Sequence, residues 1–345
     1  MLSSTGLFRQ FHGLESVWPG ILAKARECYA NNIAASTSQT YVSQWNHWVA
    51  FRRKAGWCAT DVITEERLCM WAVYAAYFAK RPLEGKSVRD YLVGIRHIMI
   101  ELDLGEPAKW RRLYRVMKGL QRLKGSRPKN RKLPVTLDHA QRILEKIGPN
   151  QQCRGDELVC FTILVMAIVG LHRMGELTSA NTSTPTGPTV AEWNQQQSTL
   201  FLPRSKEDIF GVGVHVAYPG MADVRDKELC VQYLVKAHLD ERRKQDRVLS
   251  SHQLFLRQDG KPVTRAWWVR WLRDKLKDVV PNVQQYAGHS CRRGGAHILA
   301  RAGVPQYVVQ TLGRWASDCF LRYLEMSPAV TRAAHASKIY PLGSV

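Results

Sequence analysis

The sequence predicts a mainly α-helical protein with a small β-sheet, built as an N-terminal all-α bundle and a C-terminal α+β domain. Three observations predict this fold class. Apolar residues recur at helical spacing through roughly the first third of the chain, two β-prone runs lie close together in the second half, and a basic, proline-containing segment separates the two halves. A chain of 345 residues can bury two cores of ordinary size.

The composition limits the classes of protein to which the chain can belong. Fifty Lys and Arg against 29 Asp and Glu give a net charge of +21, which favours a polyanionic partner. The longest uncharged apolar stretch, residues 158–171, is fourteen residues long, whereas a bilayer needs about 20, so it predicts a buried core helix. Eight scattered cysteines without a CxxC pair indicate reduced thiols and no structural zinc. We expect a protein that is not secreted: cytoplasmic or nucleoid-associated in a bacterium or phage, nuclear in a eukaryote.

The first part of the chain follows a helical pattern. Residues 1–34 are expected to be an N-terminal extension or a first helix, and residues 35–124 a helical bundle. Ser36 or Thr37 is a candidate N-cap for the first bundle helix. The apolar stripes, which we assign to the core, are Tyr41, Trp45, Trp48 and Val49 on one helix and Val88, Leu92, Ile95 and Met99 on another.

Basic residues without acidic neighbours follow this pattern. A solvated helix usually mixes charges of both signs, so a run without acids favours contact with phosphates. The basic residues of the run are Lys109, Arg111, Arg112, Arg115, Lys118, Arg122, Lys124, Arg127, Lys129, Arg131 and Lys132, and Lys86 and Arg89 precede it on a helix. Residues 125–134 (GSRPKNRKLP) are expected to form an extended linker, either running along DNA or serving as a nuclear-import signal.

Residues 135–335 form the second predicted domain, and residues 336–345 a C-terminal tail. Thr136 is a candidate cap for its first helix. The β-prone runs 198–202 and 211–216 predict two strands, joined by a polar turn that contains Lys206.

Reactive residue types cluster in this second domain. Arg173 and Glu176 are three residues apart and share a helical face, so Glu176 can orient Arg173. His289 and Arg292 have the same spacing, which suits one phosphate: the guanidinium binds two oxygens and the imidazole moves a proton. His139 and Arg142 repeat the H-x-x-R pattern without the R-G-G context that follows His289.

Tyr323 follows the segment Leu312-Gly-Arg-Trp315. A tyrosine has a pKa of about 10 and needs neighbouring cations and a base to act as a nucleophile. An ordinary packing role for Tyr323 is the alternative, and Tyr286, Tyr307 and Tyr340 are rival candidates.

Taken in order, R-x-x-E, Lys, H-x-x-R, G-x-W and Tyr resemble the tyrosine recombinases of the phage-integrase type, and the segments around His289 and Trp315 are most similar to Cre-like and mobile-element recombinases. The resemblance covers most of the chain: residues 35–124 resemble the core-binding domain and 135–335 the catalytic domain. It implies that Tyr323 attacks a DNA phosphodiester to form a 3′-phosphotyrosine. Arg173 and Arg292 would then clamp the phosphate oxygens, His289 would act as base and acid, and Lys206 would protonate the leaving oxygen.

The family usually places His or Trp nine residues before the nucleophile. Here that position is Arg314, and Trp315 lies eight residues before Tyr323. Trp315 is favoured for this place, with Arg314 as a possible third cationic clamp. His172, which precedes Arg173, is expected to be a buried histidine with satisfied hydrogen bonds.

The resemblance also implies double-stranded DNA as substrate, no metal or ATP as cofactor, and a homotetramer that joins two DNA sites through a Holliday junction. The chain after Tyr323 would exchange a helix with a neighbouring protomer, or fold back on its own domain. The alternatives are a type IB topoisomerase, which shares this chemistry, and a catalytically silent DNA-binding protein derived from a recombinase.

Overall fold

A computed structural model describes residues 19–104, 110–124, 132–148, 153–183, 185–203, 211–244, 249, 251–317 and 321. The chain divides into two compact units, one ending at Lys129 and one beginning at Asn130. Helices dominate both units and the second also contains a small sheet, which confirms the predicted fold class. The division falls inside the segment that we expected to be a linker, and the roles of the two domains stay predictions.

The first unit is a helical bundle. Its helices are α1 (Pro19–Ala30), α2 (Ala35–Lys54), α3 (Glu65–Val73), α4 (Gly85–Glu101) and α5 (Arg111–Lys124), and a π-helical turn, Tyr74–Phe78, extends α3. Helix α2 packs on α4, and α3 packs on α5. Trp48 and Trp71 are fully buried at the centre, and the predicted stripe on α4, Val88 to Met99, lies in the same core.

A side chain caps the start of α3, but no side chain caps the start of α2. Thr64 caps α3, since its side chain accepts the N–H of Arg67 at 3.3 Å. The prediction of a cap at Ser36 or Thr37 is wrong. Helix α2 begins at Ala35 with Ala34 as its N-cap, so both residues lie inside the first turn.

The second unit is built around α7. Its helices are α6 (Leu137–Ile147), α7 (Gly155–Val169), α8 (Met174–Leu177), α9 (Val231–Arg243), α10 (Arg265–Lys275), α11 (Gly288–Arg301) and α12 (Gln306–Leu312). Helix α7 is buried on all sides by α6, α9, α10 and α11, as its uncharged sequence predicts. Within the described ranges we find no helix with the length and apolarity that a bilayer crossing requires.

The sheet of this unit has three antiparallel strands in the order β1 (Trp193–Asn194), β2 (Thr199–Leu202) and β3 (Val214–Ala217). Leu200 pairs with Trp193 on one side and Val216 on the other. The two predicted strands are confirmed. Strand β1 has only two residues, which is too short for an alternation of apolar and polar residues to be recognised in the sequence. Lys206, on the connection between β2 and β3, lies outside the described residues.

The second H-x-x-R match has a local structural role. Thr136 is the N-cap of α6, as predicted, and its backbone N–H donates to Nδ1 of His139 at 3.2 Å. Burial, together with the charge of Arg142, lowers the pKa of His139, so the ring nitrogen stays available as an acceptor. His139 is therefore part of a helix cap.

Candidate active site

The carboxyl end of α7 is an acceptor for two arginines. Leu171 turns the backbone there with a φ of 50°. Its carbonyl accepts Nη1 of Arg292 at 2.7 Å and Nη2 of Arg314 at 3.3 Å, and the carbonyl of Gly170 accepts Nη1 of Arg314 at 3.1 Å. The last carbonyls of a helix lack intrahelical donors and carry the negative end of its dipole. This end of α7 therefore attracts and holds positive charge.

Helix α11 brings His289 and Arg292 to this end of α7. The approach is close because of two glycines: a Cβ atom at Gly294 would lie 1.7 Å from the carbonyl oxygen of Val135, and one at Gly295 would lie 2.0 Å from that of Ile168. The R-R-G-G sequence thus packs α11 directly against main chain.

Arg292 is 1% exposed. Besides Leu171, its guanidinium donates to the carbonyl of Gly313, and it stacks on the ring of Trp315 at 4.2 Å from the ring centroid. Trp315 is itself buried with Leu171 and Val309. The protein therefore fixes Arg292 from several sides.

Glu176 connects the cations of the cluster. Its carboxylate accepts the backbone N–H of Arg173 at 3.1 Å and Nη1 of the same residue at 3.2 Å, Nη2 of Arg314 at 2.9 Å, and Nδ1 of His172 at 3.0 Å. Burial alone would raise the pKa of this carboxyl group. The hydrogen bond from His172 and the charges of Arg314 and Arg292 outweigh burial and hold the pKa of Glu176 well below its usual range, so it is ionised.

His172 lies behind Glu176 and is fully buried, as expected of a satisfied histidine. Burial lowers its pKa, and the charges of Arg314 and Arg292 act in the same direction against the hydrogen bond to Glu176, so the ring is neutral. The hydrogen bonds then assign the tautomer: Nδ1–H donates to Glu176, and Nε2 accepts the hydroxyl of Tyr218. Burial raises the pKa of Tyr218 far above its usual value, which keeps that hydroxyl a donor.

Arg314 and Trp315, the two candidates for the position before the nucleophile, contact different residues. Arg314, with a φ of 55°, directs both terminal nitrogens to protein acceptors, among them Glu176. Trp315 folds back over Gly313, where a Cβ atom would lie 1.7 Å from the indole, and covers Arg292. Arg314 thus lies beside Glu176, and Trp315 beside Arg292.

The structure brings five of the predicted site residues into one bonded cluster: Arg173, Glu176, Arg292, Arg314 and Trp315. His289 is exposed in the first turn of α11, three residues before Arg292. Lys206 and Tyr323 lie outside the described residues.

Two of the rival tyrosines are described. Tyr286 is buried just before α11, and Tyr307 is exposed on α12. Tyr340 lies outside the described residues. Tyr218 was not among the predicted site residues, and its sequence signal is no more than an aromatic residue two positions after the second β-prone run.

The basic residues of the first unit divide into two groups. The exposed ones are Lys86 and Arg89 on α4 and Arg111, Arg115, Lys118 and Arg122 on α5, together with Arg112, which pairs with Glu66 of α3. Lys124 is half-buried, and its ammonium donates to the carbonyls of Ala76 and Leu83.

Lys132 belongs to the second unit, where its ammonium donates to the carbonyl of Gln284 at 2.8 Å. The remaining predicted DNA-binding residues, Lys109, Arg127, Lys129 and Arg131, lie outside the described residues. Within the part of the chain that the structure describes, we find no group of three His, Cys, Asp or Glu side chains that could hold a metal ion.

The chain resembles known proteins in structure. No protein-family model matches the chain, and no curated protein matches it. Solved structures do. The integrase of transposon Tn1549 in complex with transposon right-end DNA matches with a TM-score of 0.57 and 14% identity over 91% of this chain and 98% of that one. The same integrase in complex with a circular intermediate DNA matches with a TM-score of 0.57 and 16% identity over 91% and 97% of the two chains.

A lambda integrase dimer bound to a core site matches with a TM-score of 0.52 and 14% identity over 88% of this chain and 94% of that one. The TM-scores show a shared fold, and identities of 14% to 16% show no more than the fold. The chain has the tyrosine recombinase fold.

Proposed function

We propose that the protein is a site-specific DNA recombinase that cuts and rejoins strands through Tyr323. The observation that carries the proposal is the cluster at the carboxyl end of α7, where Arg173 and Arg314 pair with Glu176 and Arg292 is anchored on the carbonyl of Leu171. Three guanidinium groups balanced by one carboxylate leave positive charge for a phosphate.

The chemistry is a transesterification. The phenolic oxygen of Tyr323 bonds to phosphorus while the bond from phosphorus to the 5′-oxygen breaks. His289 takes the proton of the phenol, and Lys206 gives a proton to the departing 5′-oxygen. Attack by another 5′-hydroxyl reverses these transfers and releases Tyr323. One ester replaces another, so the bond energy is conserved and the reaction needs no ATP. In this proposal the arginines supply the positive charge that a metal ion would otherwise supply.

The arginines would act on the transition state. Negative charge grows on the non-bridging oxygens of phosphorus, and cations already fixed in a dry site stabilise it without reorganising. Arg173 and Arg292 are proposed as the clamps. Glu176 holds Arg173, and Trp315 stacks on Arg292. Arg314 donates to Glu176, and the indole of Trp315 stacks on Arg292, so we assign Arg314 to supporting Glu176 and Trp315 to the place before the nucleophile.

The first unit would supply most of the affinity for DNA. The exposed cations on α4 and α5 can each release counterions when they meet a phosphate. The matched Tn1549 and lambda integrase structures are DNA complexes. We propose double-stranded DNA as the substrate of this chain, and a homotetramer on two sites that exchanges the chain after Tyr323 between protomers.

The test is covalent capture. Incubated with cellular DNA fragments, the wild-type protein should form adducts that resist denaturation, and sequencing the attached DNA gives the target site. Tyr323→Phe should form no adduct while binding DNA within about twofold of wild type, because it lacks only the attacking oxygen. Adducts that persist in this variant would overturn the assignment of Tyr323.

A second measurement separates the enzyme classes. Strand exchange between two duplexes that carry the captured site is the expected activity of a tetrameric recombinase. Relaxation of supercoils without any exchange would instead indicate a topoisomerase. Binding without adducts would indicate a catalytically silent protein.

A further inference from the structure

The orientation of the Glu176 carboxylate decides where the guanidinium of Arg173 lies. Its Oε1 atom accepts Nη1 of Arg173 at 3.2 Å, and its Oε2 atom accepts Nη2 of Arg314 at 2.9 Å. Both donors end long side chains with several rotatable bonds, which by themselves fix a carboxylate poorly. Oε2 also accepts Nδ1 of His172 at 3.0 Å, from a short side chain that is fully buried. His172 is therefore the donor that can fix the carboxylate.

His172 is held on its other side by Tyr218, whose hydroxyl donates to Nε2. The backbone N–H of Tyr218 donates to the carbonyl of Ser198, immediately before β2, at 2.9 Å. Its ring packs beside Trp193 of β1, with the ring centroids 5.9 Å apart. Tyr218 thus takes its position from the sheet and passes it to His172.

Gly170 leaves the space that this pair occupies. A Cβ atom at Gly170 would lie 2.5 Å from Nε2 of His172 and 2.8 Å from Cε1 of Tyr218. The φ of Gly170 is −86°, a conformation that residues with a side chain also adopt. The two rings, and not the turn, therefore require a glycine at this end of α7.

The ionised carboxylate of Glu176 determines where the protons of the pair lie. A carboxylate only accepts hydrogen bonds, so Nδ1 of His172, which faces it, carries the proton. Burial lowers the pKa of His172 and keeps the ring neutral, so Nε2 has no proton and accepts from Tyr218. The ring thus orients the carboxylate without adding positive charge to the cluster.

We propose that His172 and Tyr218 are positioning residues that fix the carboxylate of Glu176 and, through it, the guanidinium of Arg173. The inference rests on the proposed function, because that function makes Arg173 a clamp on the phosphate. His172 and Tyr218 act at a distance from the reacting atoms: both are buried, whereas the side chain of Arg173 is 20% exposed.

The experiment removes the charge that Arg173 is proposed to neutralise. Single-turnover cleavage of the captured site is compared on the natural phosphodiester and on a methylphosphonate, in which a methyl group replaces one non-bridging oxygen and its negative charge. The two diastereomers are tested separately, and Arg173→Ala identifies the one that lacks the oxygen facing Arg173. On that isomer the loss of Arg173 should cost at most about twofold, instead of about a hundredfold on the phosphodiester, because the charge to be stabilised is gone.

Tyr218→Phe keeps the ring and removes the hydroxyl. It should slow cleavage of the phosphodiester by at least about tenfold, since a displacement of a catalytic group near 1 Å can cost about a hundredfold. On the identified methylphosphonate it should cleave within about twofold of wild type, as Arg173→Ala does. Tyr233→Phe, at a half-buried tyrosine on α9, is the matched control for loss of a hydroxyl and should match wild type on both substrates.

NMR of the wild-type protein with ¹⁵N-labelled histidine tests the hydrogen bonds without DNA. The ring of His172, assigned by the loss of its signals in His172→Asn, should be neutral with the proton on Nδ1. In Tyr218→Phe the resonance of Nε2 should shift, because this nitrogen loses its donor. A proton on Nε2 in the wild type would overturn the inference, since Nδ1 could not then donate to Glu176.

Equal slowing of Tyr218→Phe on both substrates, or no slowing on either, would also overturn it. A loss of fold slows both reactions equally, so recovery on the methylphosphonate excludes misfolding. If Arg173→Ala recovers on neither isomer, Arg173 is not a clamp on the phosphate and the inference fails with that role. If wild type forms no adduct with the natural site, the proposed function fails, whereas the NMR result still decides whether His172 orients Glu176.

Discussion

Glu176 supplies the one carboxylate of a cluster that holds several guanidinium groups. It is 7% exposed and accepts hydrogen bonds from Arg173, Arg314 and His172. Buried charges are stable only when they are paired, and removing one partner leaves the other charge uncompensated. The consequences of losing this carboxylate therefore reach beyond one ion pair.

Glu176→Gln should lower the free energy of unfolding by about 3 kcal/mol at pH 7, the lower end for a broken buried ion pair. Cleavage should fall further than DNA binding, because Arg173 and Arg314 lose their common acceptor. Urea unfolding and single-turnover assays measure the two effects. Asp240→Asn removes a more exposed carboxylate, paired with Lys236 and Arg243, and should cost at most about 1 kcal/mol.

The stability difference between wild type and Glu176→Gln should depend on pH in one direction. The pKa of Glu176 is lower in the folded protein than the value of about 4.3 for an unfolded glutamate. Such a group stabilises the fold above its unfolded pKa, and that stabilisation is lost as the pH falls toward its folded pKa. The difference should therefore be constant above about pH 5.5 and shrink below about pH 4.5. A difference that stays constant through this range would contradict the ionised pairing.

At this scale, the sequence predicts contacts between close neighbours. Arg173 is the N-cap of α8 and Glu176 is three residues further on, so their pairing follows from the short spacing. His172 and Tyr218 are 46 residues apart, as are Arg112 and Glu66. The stretch from Lys109 to Lys132 lacks acids in the sequence, yet α3 brings Glu66 to it. Such pairings depend on how helices and strands pack, and the spacing of residues along the chain does not reveal that packing.

Among the elements, α11 needs small residues where it packs against neighbouring main chain. Gly294 and Gly295 let it approach the main chain of Val135 and of α7. A side chain at either position would push α11, with His289 and Arg292, away from the arginine acceptors. The two glycines therefore support both the fold of the second unit and the geometry of the candidate active site.

Gly294→Ala should lower the free energy of unfolding by about 2 kcal/mol, within the range for overpacked cores, because its Cβ atom would overlap a backbone oxygen. Gly119→Ala is the matched control. Gly119 lies inside α5 with nothing within 4 Å of an added Cβ atom, so alanine should stabilise the protein by about 0.5 to 1 kcal/mol. Thermal or urea unfolding distinguishes the two signs. Equal behaviour of both variants would show that the close approach of α11 is not needed.

Whether an element could be predicted depends on the length of its sequence pattern and on how specific that pattern is. Helix α7 could be predicted because fourteen uncharged apolar residues fit a fully buried helix and nothing else of that length. Strands β2 and β3 have four residues each and a β-prone composition. The start of α2 could not be predicted, since Ser36 is a good cap by its side chain but the helix already includes it.

For the whole molecule, the net charge of +21 sets how binding to DNA responds to salt. Affinity should fall steeply as salt rises, and the slope of log K against log salt counts the phosphates that are neutralised. Replacing Arg115 and Lys118 of α5 together by alanine should flatten this slope by about 1.8, at about 0.9 for each contact. Fluorescence anisotropy across a salt series measures the slope.

Lys124→Met is the control for this measurement. Its ammonium lies on the carbonyls of Ala76 and Leu83, so the substitution should lower stability and leave the salt slope unchanged. If the α5 double variant kept the full slope, phosphate contact by this face of the first unit would be excluded.

The anchoring of Arg292 and Arg314 has an evolutionary consequence. Their acceptors at Gly170, Leu171 and Gly313 are peptide oxygens, which every amino acid supplies. A point mutation can delete a carboxylate, but it cannot delete a main-chain carbonyl. Substitutions at these positions can therefore disturb the acceptors only through the backbone: Leu171 must keep its left-handed turn, and a Cβ atom at Gly313 would overlap the indole of Trp315.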